Sequence, residues 1–328
     1  MNGQRISKEY LTELMGFFEE HHLCDPPVVY GNEAIFREHL NVGTFKFVNS
    51  GTSALFLIMN KLKTEGANTV WGPGLTHISW INCANWLDLA VDYVDVSEKT
   101  LSVDPDKLLA KIESTGAPDI LVMVDMAGYV GRDTLSVREI CDDYGITMIE
   151  DAAHAFGQKY AGVYSGTVGH YGFYSFSNPK LLTAGEGGGL ICEGKSLNQE
   201  FEDSIYQGGW YKNYKESYTK GLNFIMSNWL TELLRYQLRD IDQILKAHHA
   251  RFIEFKNKGP ELFTFPSDNE FYAPSILLYR DNELPEDRKH IKNVGNSPTL
   301  WGRYLNMAPK GQCPVSEQLQ DSLVYWRL

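Results

Sequence analysis

Residues 44–64 read TFKFVNSGTSALFLIMNKLKT. The first part, TFKFVNS, is aromatic and β-branched and predicts a strand. It ends at Ser50, Gly51 and Thr52, small residues that suit a turn and a capped helix start. SALFLIMNKLK follows at once and predicts a helix. The same alternation continues outward. NTVWGP (68–73), AVDYVDV (90–96), DILVMVDM (119–126), ITMIED (146–151), YGFYSF (171–176) and GGGLICE (187–193) predict strands. ISWINCANWLD (78–88), a segment opened by Asp104 and Pro105 and running through Lys111, and residues 135–144 predict helices. Apolar strands separated by helical stretches of about ten or more residues predict a mainly parallel sheet covered by helices, filling about 44–195.

The flanks differ in character. Residues 7–20 predict an amphipathic helix with Ser7 as N-cap and Tyr10, Leu11, Leu14, Phe17 and Phe18 on one face. Pro26 and Pro27 are expected to break it, with a short helix at 33–39. Near residue 200 the pattern becomes aromatic and polar, and Trp210, Tyr211 and Tyr214 are candidates to line a substrate pocket or to pack on a partner. Residues 226–257 predict one long helix or two, and short strands and loops follow, including APSILLYR (273–280). The expected domains are an N-terminal helical lead-in (1–27), a large domain (28–224) and a small C-terminal domain (225–328).

Composition narrows the class. The chain has 328 residues, 43 % hydrophobic and 12 % aromatic, which is ample for a core and excludes disorder or collagen as the whole answer. With 30 basic and 42 acidic side chains the net charge is −12, which disfavours nucleic acid and anionic membranes as partners. A small anionic ligand in a local pocket stays open. The five cysteines, Cys24, Cys83, Cys141, Cys192 and Cys313, form no CxxC pair, so free thiols are expected, with no zinc site and no metal. The N-terminal segment has no apolar leader, and no apolar run is long enough to span a membrane. A cytoplasmic protein is expected.

Three segments carry candidate chemistry. In residues 169–189, GHYGFYSFSNPKLLTAGEGGG, Lys180 lies among glycine, serine and aromatic residues, where a desolvated amine would react with an aldehyde. A solvated turn lysine is the alternative. In residues 148–157, MIEDAAHAFG, Asp151 ends an apolar strand, the place where open α/β sheets bind ligands. It could keep a pyridinium nitrogen protonated, with His154 beside the ring, or cap a helix next to a core histidine. In residues 49–55, NSGTSAL, Gly51 and Thr52 offer N–H groups at a helix start, an arrangement that suits a phosphate or simply a capped helix. Ser175 adds a further hydroxyl.

Together these segments resemble the DegT/DnrJ/EryC1/StrS aminotransferases, a family of fold-type-I, pyridoxal-phosphate-dependent sugar aminotransferases. NSGTSAL, the P-x-x-T element at Pro73–Thr76, EDAAHAFG, SFSNPKLLTAGEGG, GLNF and TELLRYQLRDIDQILKAHHARF carry the resemblance over most of residues 28–320. It implies an aspartate-aminotransferase-like α/β fold with a mainly parallel central sheet and a smaller, truncated C-terminal domain. It implies pyridoxal 5'-phosphate as cofactor, with pyridoxamine 5'-phosphate as intermediate. By resemblance Lys180 holds the cofactor as a Schiff base and moves protons, and Asp151 pairs with the ring nitrogen. His154 contacts the cofactor, His77 takes the place of a stacking aromatic, and Gly51, Thr52 and Ser175 bind the phosphate. Asn223 reaches the phosphate of the neighbouring subunit, which implies a homodimer with shared active sites. The implied partners are an amino-acid donor, glutamate or glutamine, and a keto-sugar acceptor, nucleotide-linked. A pyridoxal-phosphate-dependent sugar dehydratase or another lysine-based enzyme of this cofactor, and a non-catalytic cofactor-binding homologue of regulatory or structural role, are the alternatives. The sequence departs from the family at Ile225, where an arginine is common, at His170, where an acid is common, and near CPVSEQL, after which a further strand and helix are expected.

Overall fold

The computed structural model describes residues 6–22, 26–178, 180–194, 198–207, 221–258, 272–274, 276–280 and 305–327. Trp210, Tyr211, Tyr214 and Cys24 lie outside them. The chain opens with helices α1 (Lys8–Glu20) and α2 (Pro26–Leu40). Ser7 caps α1, its side chain accepting from the Tyr10 N–H. Pro26 and Pro27 do not simply interrupt the helical region. They begin α2, because proline's fixed φ and missing N–H are harmless in a first helical turn. The short helix expected at 33–39 is therefore the C-terminal half of a longer one.

The body follows as β1 (Thr44–Val48), α3 (Gly51–Thr64), β2 (Thr69–Pro73), β3 (Leu75–Thr76), α4 (Ser79–Trp86), β4 (Ala90–Val94), α5 (Pro105–Thr115), β5 (Ile120–Val124), α6 (Arg132–Tyr144), β6 (Thr147–Asp151), the hairpin β7 (Lys159–Tyr160) and β8 (Val163–Tyr164), β9 (Tyr171–Ser175) and β10 (Gly188–Cys192). Seven strands form one sheet in the order β1-β10-β9-β6-β5-β2-β4. β2, β4, β5, β6 and β9 pair in parallel. β10 pairs antiparallel with both β9 and β1, so it alone runs against the others. β1, β5 and β10 are buried along their whole length, as strands covered on both faces should be.

Three apolar clusters pack on the sheet; the one that joins α5 and α6 to the strands includes Leu108, Val137, Leu121 and Met123, and there are two others. One gathers α3 and α4 residues such as Leu55, Ile58 and Trp80 against Val122 and Ile149. The other gathers Phe36, Phe45, Phe47, Phe156 and Phe176 with Leu233 and Leu234. The last two belong to α8 (Asn228–Arg239), which follows α7 (Asn198–Ile205) and precedes α9 (Ile241–Lys258). Asp240 closes α8, so the helical segment expected at 226–257 is two helices. The described cysteines Cys83, Cys141, Cys192 and Cys313 are buried free thiols.

The C-terminal segment contains β11 (Ile276–Arg280), β12 (Leu305–Asn306), α10 (Pro314–Ser322) and β13 (Leu323–Arg327), with β13 antiparallel to β11. It is fastened to the body at two places. β12 pairs with β3, and the Met307 N–H donates to the Gly74 carbonyl at 2.8 Å. The Asp95 carboxylate accepts from the N–H groups of Val315 and Ser316, both at 2.9 Å, and from Ser316 Oγ at 2.8 Å. Lys107 Nζ lies 3.2 Å from the same carboxylate. Asp95→Ala is expected to lower stability by about 3 kcal/mol, because three donors lose a buried anionic acceptor at once. Faster proteolysis within residues 305–322 checks it; wild-type resistance would show that the Asp95 contacts do not hold this segment.

Candidate active site

The parallel strands end at one edge of the sheet, and several of them deliver their last or following residues to the same cavity. β1 delivers Asn49 to Ser53, β5 delivers Val124 and Asp125, β6 delivers Asp151, and β9 delivers Ser175 and Ser177. The reversed strand β10 contributes Gly187 from just before its first residue. The cavity has a volume of about 580 Å³, and Thr76, His77, His154, Lys180 and Glu186 complete much of its wall.

At one end lies the start of α3. The N-cap Ser50 accepts the Ser53 N–H through its hydroxyl at 3.0 Å. That leaves Gly51 and Thr52 as the first two helical residues, whose N–H groups have no carbonyl one turn back to bond. These N–H groups and the positive helix terminus suit an anion. The hydroxyls of Ser175 and Ser177, 3.0 Å apart, belong to the same cavity. The backbone packs tightly here: Ser50 bridges to Gly187, and a Cβ on Gly188 would lie 2.4 Å from the Ser50 carbonyl carbon and 2.5 Å from the Gly51 nitrogen. Gly188→Ala must therefore shift the α3 terminus. It is expected to weaken binding of small phosphate esters at least about tenfold, measured by calorimetry on the folded variant. Unchanged affinity would mean the anion sits elsewhere.

The middle of the cavity is electrostatically mixed. Asp151 is buried, and its carboxylate accepts the Ala153 N–H at 3.0 Å. Burial pushes its carboxyl up to about 6, against the pull of that N–H and of the Lys180 charge. Lys180 itself is only 8 % exposed. Burial, then the Lys180 charge, hold His154 well below the ordinary histidine range, so its imidazole is neutral at pH 7. His77 is lowered for the same two reasons, burial first.

The structure thus brings Gly51, Thr52, His77, Asp151, His154, Ser175 and Lys180 into one cavity. Asn223 is not brought there by its own chain. It is exposed, its side-chain oxygen accepts the Ile225 N–H at 3.3 Å, and its backbone bridges to Tyr206. His170 also lies apart, between the Met148 N–H and the Asp142 carboxylate. Asp125, Thr76, Ser177 and Glu186 line the cavity and were not among the expected site residues. For Asp125 a signal existed: DILVMVDM ends in an aspartate just as ITMIED does.

The profile of the DegT/DnrJ/EryC1/StrS aminotransferase family matches residues 6–258, more than three quarters of the chain. The chain belongs to this family. Among its relatives is an L-glutamine:2-deoxy-scyllo-inosose aminotransferase of Streptomyces kanamyceticus. It is 28 % identical over 253 residues, covering 72 % of this chain and 58 % of that one. A GDP-perosamine synthase of Escherichia coli O157:H7 is 27 % identical, covering 81 % and 74 %. The chain spans less than two thirds of the length of several curated relatives it matches. Two solved structures share the fold: 3-amino-5-hydroxybenzoic acid synthase, with a TM-score of 0.82 at 21 % identity over 100 % of this chain and 92 % of that one, and the aminotransferase TlmJ of Streptoalloteichus hindustanus, at 0.83 and 21 % over 99 % and 91 %. Among the described residues no helix is long and apolar enough to cross a membrane.

Proposed function

We propose that this chain is a pyridoxal-phosphate-dependent aminotransferase that moves an amino group from an amino acid, glutamate or glutamine, to a keto-sugar. The observation that carries the reading is the convergence of Lys180, Asp151 and the α3 terminus on one cavity. The donor set fits the cofactor. The free N–H positions of Gly51 and Thr52 with the Ser175 hydroxyl match a phosphate, a buried carboxylate matches a ring nitrogen, and a buried amine matches an aldehyde. The close backbone packing at Gly188 keeps this end of the cavity narrow.

When bound, pyridoxal phosphate supplies an electrophilic carbon for the incoming amine and a ring that accepts electron density. Gly51, Thr52 and Ser175 anchor the dianionic end and so fix the orientation. Asp151 holds a proton at the ring nitrogen as an ionised partner. Neutral His154 packs beside the ring without adding charge. Lys180 would hold the cofactor through its amine, and that amine, once free, is the group placed to take a proton from the substrate Cα and to return it during the exchange. The second half of the cycle repeats these steps in reverse on the ketone.

The family and the sugar- and cyclitol-acting names of its relatives support a keto-sugar or keto-cyclitol acceptor. The reading includes a homodimer in which Asn223 completes the neighbouring site, in keeping with its exposure and its absence from the lining of its own cavity. It also includes a cytoplasmic location. The deciding experiment is a screen of amino donors against the cofactor-loaded protein, read by loss of the visible band, followed by keto-sugars that restore it. A band that forms but answers to no donor would exclude transamination.

A further inference from the structure

Directly after β5 the chain turns through Met126–Gly128. Asp125 and Met126, at the start of this turn, belong to the cavity wall. To make the turn, Ala127 takes φ 55° and ψ 18°, a left-handed conformation that costs an alanine far more than a glycine. Gly128 follows at φ 85°, close against the loop after β6. A Cβ on it would lie 2.7 Å from the His154 carbonyl oxygen. His154 is itself part of the wall. The turn is thus wedged between two stretches of chain that line the cavity.

Two hydrogen bonds close the turn from within. The Gly128 N–H donates to the Asp125 carbonyl at 3.1 Å, and the Tyr129 N–H to the Met126 carbonyl at 3.0 Å. The carbonyl between them, that of buried Ala127, accepts instead from the Tyr272 hydroxyl at 2.9 Å, a donor 145 residues further along the chain. Tyr272 is held in its turn. Its carbonyl accepts from His249 Nδ1, on α9, at 2.8 Å, and its ring meets the Phe252 ring edge-on with centroids 5.2 Å apart. Ala273 pairs both ways with the buried Gln158 side chain: its N–H donates to Oε1 at 3.2 Å, and its carbonyl accepts from Nε2 at 2.7 Å. Gln158 lies on the loop after β6 that carries Ala153 and His154 into the wall. Tyr272 and Ala273 therefore grip the turn after β5 and the loop after β6 together.

We propose that Tyr272 is a positioning residue for this cavity: its hydroxyl holds Ala127 in the left-handed turn and so fixes the wall formed by Asp125, Met126 and His154 around the occupant. The proposal rests on the reading of the cavity as a pyridoxal-phosphate site, with that cofactor as the occupant. A wall fixed in advance spares the occupant the cost of ordering it. The coupling is reciprocal. If the Tyr272 contact strengthens cofactor binding, cofactor binding strengthens the contact by the same factor.

The test titrates pyridoxal phosphate into apoprotein and reads its visible band. Tyr272→Phe, which keeps the ring and its packing, is expected to bind the cofactor about fivefold or more weakly. In an Ala127→Gly background the left-handed turn no longer needs holding, and the same change is expected to cost less than about twofold. A role in overall stability alone would neither move the affinity of the folded protein nor be relieved by glycine at position 127. Equal affinity of wild type and Tyr272→Phe, or an undiminished loss in the glycine background, overturns the proposal. Hydrogen exchange gives a second readout that needs no variant to fold. In the wild type the amides of Tyr272 and Ala273 should exchange more slowly once the cofactor is bound, although neither residue lines the cavity. Unchanged exchange there also overturns the proposal. If pyridoxal phosphate forms its visible band while Tyr272→Phe binds it as the wild type does, only the role of Tyr272 falls. If the wild type takes up no pyridoxal phosphate, the cofactor reading falls and takes this one with it.

Discussion

Lys180→Ala is expected to abolish the visible absorbance band that pyridoxal phosphate gives with the wild-type protein and to lower transamination by about 10⁴-fold. Lys180 is the one lysine among the described residues that line the cavity, so no other amine there can take its place. Its surroundings suit a nucleophile rather than a surface charge at this position. It lies buried beside Asp151 and two histidines that burial holds neutral. The variant should fold, since alanine removes a charge from a half-apolar cavity rather than a packed core contact. Absorbance titration of wild type and variant measures the effect. A band of equal intensity in Lys180→Ala would move the covalent attachment to another residue.

Asp151→Asn is expected to cost activity by a factor on the order of 10² to 10⁴ and to flatten the pH dependence of the apoprotein's stability. The ordinary value for its carboxyl is 3.8 and the folded value is about 6. A raised folded value means that the native state keeps the proton after the unfolded chain has lost it. Between about pH 4 and pH 6 the native state therefore binds more protons, and stability falls as pH rises through this window. Above it the carboxylate is ionised in both states, and the destabilisation is constant. Asparagine cannot ionise, so the variant should lack this fall and gain most, relative to wild type, at neutral pH. Denaturant unfolding of both apoproteins from about pH 4 to about pH 8 reads the difference. Parallel curves would show that Asp151 titrates alike folded and unfolded. The balance favours function over stability: an acid that burial penalises in the apoprotein becomes the partner of a cation once a protonated ring nitrogen faces it.

Much of this site was legible in the chain because its parts are local. A strand, three small residues and a helix within 44–64 are enough to place Gly51 and Thr52 at a helix start. An apolar strand ending in an acid is enough to put Asp151 at the rim of a sheet. The two prolines that open α2 show what local reading leaves undecided: a proline breaks a helix interior and opens a helix equally well, and only the turn it occupies decides which. Asp125 was passed over although its segment has the pattern of the Asp151 segment. Nothing local distinguishes a strand-end acid that accepts a backbone N–H from one buried against another acid.

The sequence by itself determined the alternation of strand and helix, the family, and which side chains are candidates to hold a phosphate, a ring nitrogen and an aldehyde. These follow from side-chain chemistry and from periodicity within about twenty residues. The tertiary structure alone decided that β10 runs backward between β1 and β9, which brings Gly187 and Gly188 against Ser50. It decided that Asp95 and β3 fasten the C-terminal segment to the body, and that Asn223 is not among the residues lining its own chain's cavity. Strand order, burial and the count of donors around a carboxylate depend on residues far apart in the chain, and only their arrangement in space sets whether an acid keeps its proton.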